Sequence, residues 1–177
     1  GCHWTSLPGT EYSFSDVIKI NFAKVLDAAL QEARTDMDGL SIEKLWQGFE
    51  THLARAVDVV AQGIDLHMEH KHEYYPELVL DLLCHGPLEK GVDASHGSLE
   101  YNTICVDGSA LATAAGSLAA LECHVEQRHE LTWKSVLAAL DINFADDPRT
   151  QALLGATPAF GRGGALGDEW AKRIAEL

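Results

Sequence analysis

Leu99-Glu100-Tyr101-Asn102-Thr103-Ile104-Cys105-Val106, closed by Asp107-Gly108, decides how the rest of the chain is read. β-branched and aromatic residues fill the run, and the Asp-Gly pair ends it in a turn, so it is the best strand candidate in the sequence. Every other periodic stretch reads as helix. One strand makes no sheet. A chain of many helices with about one buried strand, 99–106, is therefore expected to be a helix-rich slice of a larger fold.

Downstream of the strand, Ser109 opens a helix of small residues running to Leu121, whose side chains permit close backbone approach to neighbours. Thr132 caps a helix over Trp133 to Phe144, Asp147-Pro148 starts a short one through Leu154, and Thr157 to Gly164 is loop. A last amphipathic helix covers Asp168 to Leu177. Upstream, Ser41 caps the clearest helix, with Ile42, Leu45, Trp46, Phe49, Leu53, Val57, Val60 and Ile64 on one stripe, predicted to run to about His70. Before it, apolar residues from Val17 to Leu30 recur near helical spacing, and Ser15 is the predicted N-cap. Pro76 is predicted to start a helix over Glu77 to Cys84, apolar almost all round, which Gly86-Pro87 breaks.

The 177 residues suffice for one domain with a real core, and a 46% hydrophobic, 23% charged composition argues against disorder. Thirteen Lys plus Arg face 27 Asp plus Glu, a formal net charge of -14, with no basic stripe, so a nucleic-acid partner is excluded. No apolar run reaches the ~18–20 residues of a membrane span, and no signal peptide is visible. The four cysteines, at 2, 84, 105 and 123, are far apart and form no C-x-x-C pair, which points to a reducing, cytoplasmic setting. The chain opens without Met, so an upstream piece is expected.

It begins Gly1-Cys2-His3-Trp4, in a segment rich in Gly, Pro, Thr and Ser. Cys2 reads either as a catalytic thiol or as an ordinary one. The order of motifs bears on the choice: Gly1-Cys2; Ile20-Asn21-Phe22-Ala23-Lys24-Val25-Leu26; Gly86-Pro87-Leu88-Glu89-Lys90-Gly91-Val92-Asp93; Glu100-Tyr101-Asn102; Gly108; Gly116-Ser117-Leu118-Ala119-Ala120-Leu121; and Thr132-Trp133 through Leu140-Asp141-Ile142-Asn143-Phe144. This succession resembles the glycyl radical enzymes, the pyruvate formate-lyase-like family, over essentially the whole chain. It looks like the part of the catalytic domain that begins at the active-site cysteine.

The resemblance implies a ten-stranded α/β barrel wrapped by helices. The chain would be part of one catalytic domain: a cysteine finger loop 1–15, a helical region 16–85, a turn and strand 86–108, and a helical region 109–177. It implies that Cys2 forms a thiyl radical and cleaves or forms C–C or C–heteroatom bonds in a small organic substrate, as a lyase, dehydratase or acyltransferase of anaerobic metabolism. It also implies a glycyl radical on another part of the protein, a radical-SAM activating enzyme that installs it, a homo-oligomer, and no metal on this chain. The glycines at 161, 163, 164 and 167 lack the flanks of the radical-glycine motif. Two departures matter. Many members that eliminate water or amines, and some decarboxylases, place a glutamate two residues after the cysteine, where Trp4 stands, and pyruvate formate-lyase proper has adjacent cysteines, whereas Cys2 lies between Gly1 and His3. His3 is a candidate acid or base, and Trp4 a pocket wall. Tyr101, Asn102 and Cys105 are candidate pocket or framework residues at the strand.

Other residues read more plainly. His67, His70 and His72 with Glu69 and Glu73 suggest a metal site by spacing, but a solvated helix terminus accounts for them better. His85 and His96 sit in turns beside glycines and read as structural. Cys84, Cys105 and Cys123 read as small buried hydrophobes. The competing reading is a non-catalytic acidic helical interaction module, or an inactive remnant of such an enzyme.

Overall fold

The computed structural model describes residues 6–177, with residues 12–17 described by backbone alone. Two strands are present among these residues: β1, Glu11–Asn21, and β2, Tyr101–Ser109, paired in parallel. Parallel pairing requires a long crossover, and the helices between them supply it. The helices are α1 (Phe22–Ala33), α2 (Ile42–Tyr74), α3 (Leu78–Asp81), α4 (His85–Lys90), α5 (Leu111–Leu121), α6 (Trp133–Asp141), α7 (Pro148–Gly155) and α8 (Leu166–Ala175). A 3-10 turn covers Ala94–His96, and α5 continues into a π-helical turn, Glu122–Gln127. Among the described residues no helix is long and apolar enough to cross a membrane.

β1 corrects the expectation of a helix capped by Ser15. The strand runs to Asn21, and the helix starts only at Phe22, where the Asn21 side chain accepts the Lys24 N–H at 3.1 Å. Tyr12, Phe14, Ile18 and Ile20 alternate with Ser13, Ser15 and Lys19, a period of two interrupted at Asp16-Val17 that the helical reading overlooked. β2 is two residues shorter at its start and three longer at its end than expected. It is also not buried: every residue in it is exposed or half-buried, because β1 is its one neighbour among the described residues.

The chain divides into two compact units. The first comprises residues 6–20 and 55–107. Here the expected helix over 77–84 shrinks to α3, and Gly86-Pro87 lies in the first turn of α4 rather than breaking a helix, as proline at a helix start permits. Leu78, Val79, Leu82 and Leu83 stay exposed. A small core of Cys84, Ala94 and Leu99, with Leu80 against it, holds the segment. Asp93 organises the turn around it, accepting from Glu77 N at 2.6 Å and Ser95 N at 2.8 Å, while Asp81 accepts from Ala94 N at 2.7 Å. Gly86 is required here, since a Cβ would sit 2.0 Å from the Ser98 carbonyl oxygen. Lys71, at the end of α2, is buried and donates to Tyr75 O at 3.1 Å and to the Glu77 carboxylate.

The second unit comprises residues 21–54 and 108–177 and is helical. The small-residue helix α5 lies at its centre, packed against α1, α7 and α8, with Ala114, Ala115, Leu118 and Ala119 fully buried. Alanines let the neighbouring backbones approach closely, as their run in the sequence implied. Trp46 stacks on Phe49 at 5.3 Å and meets Trp170 at 5.3 Å, and the Arg173 guanidinium lies 4.3 Å over the Trp46 ring while pairing with Glu43 at 3.0 Å. Thr132 caps α6 in a reciprocal box with Ser135, and Asp147 caps α7. In the π turn, His124 is buried between Glu130 (2.6 Å) and the Thr157 hydroxyl (3.1 Å). Glu126 there accepts from Trp133 Nε1 at 2.9 Å and Ile42 N at 3.3 Å. The outer face of α5, from Ala112 to Ala120, borders a cavity of about 840 Å³ shared with α1, α6 and α7.

Candidate functional site

Cys2, His3 and Trp4 lie outside the described residues. What the structure shows is the turn that follows them and the strand beside it, all within the first unit. Leu7-Pro8-Gly9-Thr10 folds back on itself: Leu7 O accepts Thr10 N at 3.1 Å, Glu11 N at 3.0 Å and the Thr10 hydroxyl at 3.2 Å. Pro8 pre-sets the bend, and Gly9 takes φ +79, a conformation that favours glycine. A Cβ on Gly9 would also sit 3.1 Å from the His85 ring.

The turn is fastened at three places. Gly9 O accepts His85 N at 3.1 Å. Thr10 O accepts Glu100 N at 3.2 Å and Tyr101 N at 3.3 Å, at the entry to β2. The Glu11 carboxylate accepts Leu7 N at 2.9 Å through Oε2 and the Thr103 hydroxyl at 2.5 Å through Oε1. Those two bonds, Thr103 first, hold the Glu11 carboxyl below its ordinary pKa, so it is ionised and accepting at neutral pH.

The structure therefore brings Tyr101 to the root of the N-terminal segment through its backbone, with its side chain half exposed. Asn102 is exposed, one residue on. Alternation along β2 puts Tyr101, Thr103, Cys105 and Asp107 on one face. Cys105 is half-buried, not fully buried as a small hydrophobe would be, and its thiol lies 3.5 Å from Asp107 Oδ1. Burial, then the Asp107 carboxylate, pushes that thiol up, so it is a thiol and a poor nucleophile. Cys84 is buried as expected, and Cys123 is half-buried. His85 has a tighter role than its turn position suggested, because its backbone and ring both meet Gly9. Glu11 was missed by sequence reasoning; nothing local marks a partner 92 residues away.

His70 lies within 4.0 Å of Glu69 and 3.8 Å of Glu73, and His72 stacks on His96 with centroids 3.7 Å apart. Among the described residues no group of three or more His, Cys, Asp or Glu would hold a metal ion. Gly161, Gly163 and Gly164, which lack the flanks of a radical-glycine motif, lie in a loop before α8. In this chain they are exposed, and a Cβ on any of them meets nothing within 4 Å.

Comparison with known proteins is consistent with this geometry. The family model described as pyruvate formate lyase-like matches residues 1–177. Trans-4-hydroxy-L-proline dehydratase of Clostridioides difficile is 26% identical over 135 residues, which is 76% of this chain and 17% of that protein. A glycyl radical enzyme from Archaeoglobus fulgidus superposes with a TM-score of 0.81 at 24% identity, over 95% of this chain and 23% of that one. The B12-independent glycerol dehydratase from Clostridium butyricum, in its glycerol-bound form, gives 0.84 at 19% identity with the same coverage. The chain thus spans about a fifth of the length of the proteins it matches. It belongs to the pyruvate formate lyase-like family.

Proposed function

We propose that Cys2 is the hydrogen-transfer thiol of a glycyl radical enzyme, and that this chain is the section of it that bears that thiol and its anchoring turn. The observation that carries the reading is the family match over residues 1–177, which takes in Gly1-Cys2 at one end and the Leu7–Glu11 turn bound to β2 after it. The glycyl radical that the family implies would lie on another part of the protein, be installed by a radical-SAM activase, and supply the unpaired electron. The residues here do the rest. Cys2 gives up its S–H hydrogen, takes one from a substrate C–H, and returns one to the product; the S–H bond is weak enough to exchange in both directions. A turn held to the sheet keeps that thiol within reach of the substrate, where an ångström of misplacement costs rate.

The named relatives include dehydratases, which supports loss of water from a small hydroxylated molecule as the reaction. Trp4 stands where such enzymes carry glutamate, so the proton acceptor is another group, with His3 the candidate on this segment. Trp4 would wall the pocket, Tyr101 and Cys105 would contribute its floor from one face of β2, and Asn102, on the other face, would serve as a framework residue. The whole enzyme would be a cytoplasmic homo-oligomer.

The test uses the full-length protein, activated anaerobically and offered a panel of vicinal diols and hydroxylated amino acids. Cys2→Ser is expected to show an undiminished glycyl radical doublet in electron paramagnetic resonance and no turnover of any compound the wild type converts. Retained turnover would overturn the assignment.

A further inference from the structure

We infer that Glu11 is a positioning residue for Cys2: its carboxylate ties the turn that follows the Cys2 segment to strand β2. The inference rests on the reading of Cys2 as the hydrogen-transfer thiol. Glu11 uses each carboxylate oxygen for a different purpose. Oε2 takes the Leu7 N–H at 2.9 Å, closing the turn from inside, and Oε1 takes the Thr103 hydroxyl at 2.5 Å, fixing the closed turn to the sheet. The backbone fastenings at Gly9 and Thr10 hold the half of the turn that enters the sheet. Leu7 N is on the other half, five residues from Cys2, and Glu11 is its partner. Removing the carboxylate releases Leu7 N and the link to Thr103, so the turn is held at Leu7 by its carbonyl alone, while the entry to β1 stays in place. The ionised, doubly engaged carboxylate is also unsuited to act as the proton acceptor that Trp4 displaces, so the residue holds rather than reacts.

The experiment follows hydrogen passage through Cys2 without a substrate. In full-length enzyme carrying the glycyl radical and transferred to D2O, the Cys2 thiol becomes S–D. Each exchange through it places deuterium on the glycyl α-carbon and hydrogen on sulfur, and the α-hydrogen doublet collapses to a singlet. Glu11→Ala is expected to slow the collapse about tenfold or more at unchanged radical content, because a thiol held loosely reaches its partner less often. Glu11→Gln keeps an oxygen for Leu7 N–H and is expected to fall within about threefold of wild type. Thr103→Val removes one hydroxyl at constant shape and is expected to lie between, so it carries the test if the alanine variant does not fold. Cys2→Ser separates the two readings. Collapse at the wild-type rate in Cys2→Ser overturns the assignment of Cys2 and the inference with it. Collapse blocked in Cys2→Ser but within about twofold of wild type in Glu11→Ala, or in Thr103→Val where the alanine variant does not fold, overturns the inference alone.

Discussion

Gly108→Ala should loosen the helical unit from its edge inward. Gly108 lies near the end of β2, and a Cβ there would sit 2.4 and 2.5 Å from two carbons of the Phe22 ring. Ordinary carbon contacts are ~3.5–4.0 Å, so the ring must retreat by more than an ångström. The ring is half-buried, and its retreat toward the core is limited. Phe22 faces Phe49 with centroids 6.5 Å apart, and Phe49 is fully buried and stacked on the buried Trp46. Overpacking of this kind costs ~2–3 kcal/mol, toward the upper end for inserted methyl groups. Read by hydrogen–deuterium exchange on peptides covering residues 22–33 and 42–54, that is a rate increase of ~30- to 150-fold where exchange proceeds by opening of the unit. Phe22→Leu in the same chain gives the new methyl room, so the double variant should cost at least ~1 kcal/mol less than the sum of the two singles. Exchange within about twofold of wild type in Gly108→Ala, or strict additivity in the pair, would refute the argument that Gly108 is small because Phe22 lies on it.

Two further outcomes follow from capping geometry. Asn21→Ala removes the acceptor for Lys24 N and should cost ~1 kcal/mol, seen as faster exchange in the first turn of α1; Asn21→Asp should restore protection, and equal rates in all three would show the cap is idle. Asp168 accepts from Gly161 N at 2.7 Å and Ala165 N at 3.0 Å, which hold its carboxyl below the ordinary value. A depressed native pKa stabilises above the unfolded value of ~3.9 and loses that effect as pH falls through the native one. Protection of the Gly161 and Ala165 amides, corrected for intrinsic rate, should therefore hold down to about pH 4 and fall only below it; loss already above pH 5 would contradict the assignment.

The readable parts of this fold are those specified within a few residues. The Thr132 cap, Asp147 before Pro148, and the alanines of α5 all act locally, and the structure finds each where the sequence indicates. The parts that were not readable depend on partners far away in sequence. Val17, Ile18, Ile20 and Phe22 satisfy a helical stripe when continued into Val25 and Leu26, yet pairing with β2 makes the first half a strand. Asn21 ends the ambiguity as a cap, but Ser15 looks equally suitable until the pairing is known. Gly86-Pro87 looks like a break because a proline within a helix is one; at the start of a helix it is not. The site divides the same way. Leu7-Pro8-Gly9 is legible as a turn, whereas its attachments to His85, Glu100 and Thr103 are not.

The π-helical turn Glu122–Gln127 makes the length of this segment as informative as its letters. Its wider winding sets the helix after α5 out of phase by about one residue, ~100° of rotation, with the regular spiral before it. His124 reaches Glu130 and Thr157, and Glu126 reaches Trp133, from that shifted phase. A substitution there changes one side chain, but a single-codon deletion turns all of them to a different bearing. Insertions and deletions among relatives should therefore be purged between 122 and 127 even where the amino acids themselves drift.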